Sequence, residues 1–270
     1  METLKNHTLV YDSECPMCDL YTRGFIKAGM LDDNGRVEYG KAKVPASFDN
    51  ARARDEIALI DYENGTVSYG LDSLIKVVGN SFPLFGRALQ SPIIHGPLNI
   101  LYSFISYNRK VIAPPKTFEK RGACTPAFRV GYRVAYIVFA WFITSLILTR
   151  YSATLYPFIP RSDFYREFLI CGGQILFQLV FVLFITRDKL LHYIGSMMTV
   201  SLIGGLLLLP MLIVDRFVPV APLLSMGWFA MVVTFMLFIH WRRVKWLGIS
   251  SFATVGWVLY RLMVLWIVLL

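Results

Sequence analysis

Cys15 and Cys18, three positions apart, are the residues of this chain best suited to covalent chemistry. They sit in Val10-Tyr11-Asp12-Ser13-Glu14-Cys15-Pro16-Met17-Cys18, where an apolar run ends in turn formers and a helix begins. Only a thiolate attacks a disulfide, and a helix N-terminus favours negative charge through its unpaired N–H groups and its dipole. Cys15 holds that position and is the expected nucleophile. Cys18, on the same helical face, is placed to resolve a mixed disulfide by closing a bridge to Cys15. Pro16 suits the first helical turn, where its missing N–H costs nothing. Asp12 could accept the Cys15 proton, raise the thiol pKa by repulsion, or simply cap the turn.

The same spacing is also half of a zinc site, which needs a second ligand pair. Cys124 and Cys171 stand far apart, and His7, His95, His192 and His240 form no paired spacing, so neither a metal nor another cofactor is expected. Two buried thiols without chemistry are the remaining alternative.

With 270 residues, 56% of them hydrophobic, and a mean hydropathy of +0.53, the chain is too apolar for a soluble domain and must contain a membrane part. Charge divides along the chain. Residues 1–108 carry 10 Lys/Arg against 13 Asp/Glu, a net −3, and the rest carry 17 against 5, a net +12. The basic excess therefore belongs to the apolar half, as helix-flanking charge facing a lipid bilayer, and no basic groove or motif points to nucleic acid. No signal-peptide pattern opens the sequence, so the first domain is expected in the cytosol, where thiols are kept reduced.

In chain order, Thr8 to Tyr11 reads as a strand, Cys15 to Met30 as a helix and Val37 to Tyr39 as a second strand, while residues 45–54 are a polar stretch with no assigned element. Ile57 to Tyr69 has the pattern of a hairpin turning at Asn64-Gly65. A helix follows from about Leu71 with Leu74, Ile75 and Val78 on one face, and the proline-punctuated residues 81–115 suggest a helical hairpin or packed extension. Strand, Cys-x-x-Cys helix, strand, hairpin and helix is the order of an α/β thioredoxin-like domain. The expected organisation is such a domain at residues 1–113, a basic juxtamembrane segment at 114–129 with Lys116, Lys120, Arg121 and Arg129, and an all-α transmembrane bundle at 130–270.

Five apolar segments approach the roughly 20 residues needed to cross a bilayer. They are Val130 to Thr149, Phe168 to Thr186, Leu190 to Val214, Val220 to His240 and Leu247 to Leu270. The connectors Arg187-Asp188-Lys189 and Arg242-Arg243-Val244-Lys245 are basic, while Arg150, Arg161, Arg166 and Arg216 are the only Lys/Arg expected on the other side. The positive-inside rule then puts the N-terminal domain in the cytoplasm of a bacterial-type inner membrane and the C-terminus outside. Within the spans, Cys171, Gln174 and Gln178 share a helical face and Arg261 lies in the fifth segment. They line a ligand or quinone pocket, or the glutamines bond between helices while Arg261 snorkels to the nearer outer surface. Gly172-Gly173 and Gly204-Gly205 read as close-packing points. Cys124 could exchange with Cys15, but Cys171 is the only cysteine within the spans, so a thiol relay across the bilayer is not expected.

Tyr11-Asp12-Ser13-Glu14-Cys15-Pro16-Met17-Cys18 resembles the opening motif of the DCC family, a domain of unknown function catalogued as thiol-disulfide oxidoreductases. Later residues match in outline: Asp61 and Gly65 in the hairpin, Leu101-Tyr102-Ser103-Phe104 in an aromatic-rich helix, and Tyr107-Asn108-Arg109 closing the domain. The resemblance covers residues 7–113. It implies that Cys15 and Cys18 are the redox pair with Asp12 a fixed neighbour, acting on a protein or small-molecule thiol or disulfide. The cis-proline that thioredoxins place before their third strand has no counterpart near Asp55. The expected function is a membrane-anchored thiol-disulfide oxidoreductase. The alternative is a membrane transport or interaction protein, with a membrane partner and a non-catalytic N-terminal module.

Overall fold

The computed structural model describes residues 2–115 and 126–269. Lys116, Lys120, Arg121 and Cys124, to which the sequence assigned juxtamembrane and exchange roles, lie outside the described residues. The chain divides into two compact units, Met1–Tyr132 and Arg133–Leu270.

In the first unit, β1 (His7–Tyr11) leads through the Cys15 turn into α1 (Pro16–Lys27) and then β2 (Arg36–Glu38). Next come α2 (Asn50–Asp55), the hairpin β3 (Ala58–Asp61) and β4 (Thr66–Tyr69), and the helices α3 (Gly70–Ser81), α4 (Pro83–Gln90) and α5 (Pro92–Ile112). The sheet order is β2-β1-β3-β4. β1 runs parallel to β2, with Val10 opposite Val37, and antiparallel to β3, with Leu9 opposite Leu59. β1 and β3 are central and covered on both faces, so successive side chains feed two cores. Leu9, Tyr11 and Leu59 pack with Cys15, Cys18 and Val77 on one face, and Val10, Ala58 and Ile60 pack with Ala53 and Tyr69 on the other.

Three local findings refine the expected elements. α1 stops at Lys27 rather than Met30, because Gly29 adopts φ +68° and the Met30 N–H turns back to the Phe25 carbonyl. The unassigned polar stretch holds α2, capped by Asp49, whose carboxylate accepts the N–H groups of Ala51 and Arg52 at 2.8 and 3.0 Å. In the hairpin, Asp61 accepts the N–H groups of Glu63 and Asn64, and Gly65 takes the positive φ of the turn.

The second unit is helical, with α6 (Val130–Ser152) entering it from the first. It continues with α7 (Phe164–Leu183), α8 (Leu190–Phe217), α9 (Pro222–Trp246) and α10 (Phe252–Leu269). Five helices are thus long and apolar enough to cross a membrane, and the chain is an integral membrane protein. The glycine pairs are close-packing points as expected. A Cβ at Gly172 would touch Trp141 at 3.5 Å, and side chains at Gly173, Gly204 and Gly205 would meet Tyr260, Met236 and Ile147. Arg242 to Lys245, expected as a connector, is instead the last turn of α9, where cations suit the negative end of the helix dipole. The chain reverses after it, at Gly248 with φ +63°.

Candidate functional site at the Cys15–Cys18 turn

β1 ends at Tyr11, and the chain folds back at once through the Cys15 N–H, which donates to the Asp12 carbonyl at 3.1 Å. This turn sets Cys15 as the N-cap of α1, and its Sγ accepts the N–H of Cys18 at 3.4 Å. A sulfur in that position does what a capping oxygen does and gains more when ionised.

The Cys18 thiol also hydrogen-bonds the Cys15 sulfur. With the Cys18 N–H and the Arg109 charge, it brings the Cys15 thiol down from 9.0 to about 7 against the opposing effect of burial. The same hydrogen bond, reinforced by burial, pushes the Cys18 thiol far up, so of the two sulfurs Cys15 is the one favoured to ionise. Tyr21 sits against Cys18, and burial holds its phenol well above the usual range, so it remains a neutral donor.

Asp12 is buried, and two groups fix its carboxylate. Oδ1 accepts the N–H of Glu14 at 3.1 Å, and Oδ2 lies 3.9 Å from an Arg109 nitrogen. Burial raises its pKa, with Arg109 the main opposing influence. Of the three readings of Asp12, the turn cap is the one with a direct hydrogen bond. Its charge slightly opposes ionisation of Cys15.

Arg109, which sequence reasoning saw only as a closing motif, is the cation of the site. It is 5% exposed, and it donates to the Asp55 carbonyl at 3.0 Å, the Arg54 carbonyl at 2.8 Å and Ser106 Oγ at 3.2 Å. Those carbonyls are the orphan acceptors at the end of α2, so α5 reaches across to cap a helix 55 residues earlier in the chain. Tyr102, two turns earlier on the same face of α5, accepts the Ile57 N–H at 3.0 Å. The one sequence signal for these roles was the spacing of Tyr102 and Arg109, seven residues and so two turns apart on one face of α5. A cleft of about 210 Å³ opens between these elements, lined by Met17, Cys18, Tyr21, Ile57, Tyr102 and Arg109. Both thiols lie beneath the surface, Cys15 at 4% and Cys18 at 7% exposure.

No family model, curated protein or solved structure matches the chain. What the site can do follows from two sulfurs held side by side at a helix N-terminus, with Cys15 the one favoured to ionise. Among the described residues, no three His, Cys, Asp or Glu side chains converge on a common metal position.

Of the polar residues flagged in the spans, Gln178 joins a separate buried network. Gln178 and Gln174 are buried, and Gln178 Oε1 accepts the Tyr193 hydroxyl at 2.8 Å. His240 Nε2 lies 3.2 Å from the same hydroxyl, its Nδ1 is 3.2 Å from Thr254 Oγ1, and its ring stacks on Trp257. Arg261 does not snorkel outward. Its guanidinium folds back over the Trp257 ring at 4.0 Å, since a helical side chain leans toward its own N-terminus and finds an aromatic face there.

Proposed function

We propose that the protein is a membrane-anchored thiol-disulfide oxidoreductase of the DCC type, whose N-terminal domain is thioredoxin-like and cytosolic. The observation that carries this reading is the Cys15 sulfur as N-cap of α1, with the Cys18 N–H and thiol both directed to it. The strand, Cys-x-x-Cys helix, strand, hairpin, helix order and the position of the pair at the end of central strand β1 support the thioredoxin-like layout. The basic ends of α9 and of the α7–α8 connector support the cytosolic orientation.

In the reaction, the Cys15 thiolate attacks one sulfur of a disulfide R–S–S–R′. A Cys15–S–S–R bond forms, and R′S⁻ leaves and takes up a proton. Cys18 then loses its proton and attacks Cys15 Sγ, which releases RSH and leaves the Cys15–Cys18 disulfide. Two electrons pass from the cysteine pair to the substrate, and a dithiol reductant returns them. Arg109 balances the charge on Cys15 and holds Asp12 in place. The cleft beside Cys18 admits a side chain or small molecule.

The test is made on the reduced full-length chain in lipid discs. A Cys18→Ser variant should accumulate a mixed disulfide on Cys15 when given bis(2-hydroxyethyl) disulfide, read as an added mass. A Cys15 thiol that titrates near its usual value of about 8.5 and exchanges with no disulfide would overturn the proposal and leave the thiols structural.

A further inference from the structure

The face of α4 and α5 turned away from the sheet is apolar and exposed. Gly86 of α4 abuts Gly79 of α3, and Leu84, about 200° round the helix from Gly86, points away from that contact at 82% exposure with Phe85 beside it. On α5, Ile93, Pro97 and Ile100 recur at i, i+4 and i+7, and Ile94 and Leu101 widen the stripe. Ile93 is 86% and Ile100 69% exposed, whereas the buried residues of α5, Ser106, Asn108, Arg109 and Val111, all belong to its C-terminal half.

Charge identifies the occupant. From residue 73 to residue 118 the sequence has no Asp or Glu, and besides the buried Arg109 it has Lys76, Arg87, Lys110 and Lys116. Arg87 follows Leu84 by three residues and is exposed on the same side of α4. A second copy docked by two-fold symmetry would turn this surface on itself and set Arg87 against its own counterpart, while the one carboxylate beside the stripe, Asp72, is already paired with His95 at 2.8 Å. An anionic lipid surface suits both the apolar stripe and the basic fringe. The bilayer is always within reach: residues 113–129 join α5 to α6 and span at most about 60 Å fully extended.

We propose that α4 and the N-terminal half of α5 lie in the boundary between headgroups and acyl chains of an anionic leaflet. Leu84, Phe85, Ile93 and Ile100 enter the apolar layer, and Arg87 sits at phosphate level. The proposal is independent of the thiol chemistry.

The photo-crosslinker benzoylphenylalanine, placed in the full-length chain as Leu84→benzoylphenylalanine, Ile93→benzoylphenylalanine or, in the exposed hairpin turn, Glu63→benzoylphenylalanine, tests it in phosphatidylcholine/phosphatidylglycerol discs. Lipid adducts at positions 84 and 93 should exceed those at 63 by about tenfold and rise with the phosphatidylglycerol fraction. Crosslinks between two copies, or lipid adducts no more frequent than at position 63, would overturn it. The double variant Leu84→Glu/Ile93→Glu alters only exposed positions and leaves the sheet folded. With the crosslinker moved to Ile100, it should lose most lipid adducts, and unchanged adducts there would equally overturn the proposal.

Discussion

Arg109 in the α/β unit and Tyr193 in the helical bundle are both buried polar side chains of long reach, yet they are satisfied in different currencies. Arg109 donates to backbone carbonyls freed where α2 ends, and the same guanidinium stands beside Asp12. Tyr193 meets side chains from neighbouring helices, Gln178 and His240. In a membrane-spanning helix most interior carbonyls are already used by their own helix, so a buried polar side chain either finds another, as Tyr193 does, or shares an already bonded carbonyl of a neighbouring helix, as Tyr151 and Tyr260 do at Ser225 and Ile170. An α/β domain has helix ends and turns with acceptors to spare, and a buried charge can be fixed there by carbonyls together with a buried carboxylate such as Asp12. The difference teaches where chemistry is easier to build: the α/β unit can hold a cation near two sulfurs, while the bundle ties its polar groups into packing.

The sharpest way to break this comparison is to remove the sulfur. Cys15→Ser should abolish disulfide exchange, while stability changes by no more than about 1 kcal/mol because serine is itself a good N-cap. Cys171→Ser, in the bundle, should leave exchange unchanged, and a loss of rate from that variant would place chemistry on the wrong side of the comparison.

Arg109→Met should cost about 3 kcal/mol, since it strands the α2 carbonyls and leaves Asp12 without its cation. It should also move the Cys15 titration upward, because Arg109 lowers that pKa. Hydrogen exchange of the β1 amides and the pH profile of thiol alkylation check the two effects separately. In the unaltered protein, alkylation should be half-maximal near pH 7 and fall about tenfold for each unit below it. The folded-state pKa is depressed from 9.0, so the thiolate contributes stability that is fully present above pH 9 and is lost as pH falls through about 7.

Gly86→Leu should destabilise α4 packing by about 1–3 kcal/mol through overpacking against Gly79, seen as faster amide exchange in α3 and α4. The smallest effect belongs to the bundle. Tyr193→Phe should cost about 0.6–1 kcal/mol in a detergent-unfolding experiment, because a membrane hydrogen bond is worth little beyond its packing.

The sequence was most legible where period and punctuation agreed. The apolar run at Leu9-Val10-Tyr11, the Asn64-Gly65 turn and the five apolar segments all led to elements of the expected kind. The helix α2 stayed hidden because its four polar residues and two alanines carry no helical apolar period, and only the capping carboxylate of Asp49 marks it. Arg242 to Lys245 misled because a basic run in an apolar region reads as a connector, although such residues also favour the last turn of a helix. At the site, Cys15, Cys18 and Asp12 could be named from a contiguous motif. Arg109 and Tyr102 could not be given their places, since these depend on α5 crossing over α2 and the start of β3, a long-range packing choice that local spacing does not encode.

The contact between Gly79 and Gly86 has a mechanical side. Interfaces made of long side chains can creep, because rotamers change and absorb a tilt of one helix against another. Two glycines back to back have no rotamers to give, so α3 and α4 turn together. Leu74 of α3 forms part of the wall of the cleft at Cys18. The exposed face bearing Leu84 and the cleft wall bearing Leu74 thus belong to two helices that meet backbone to backbone, with no side chain between them at Gly79 and Gly86.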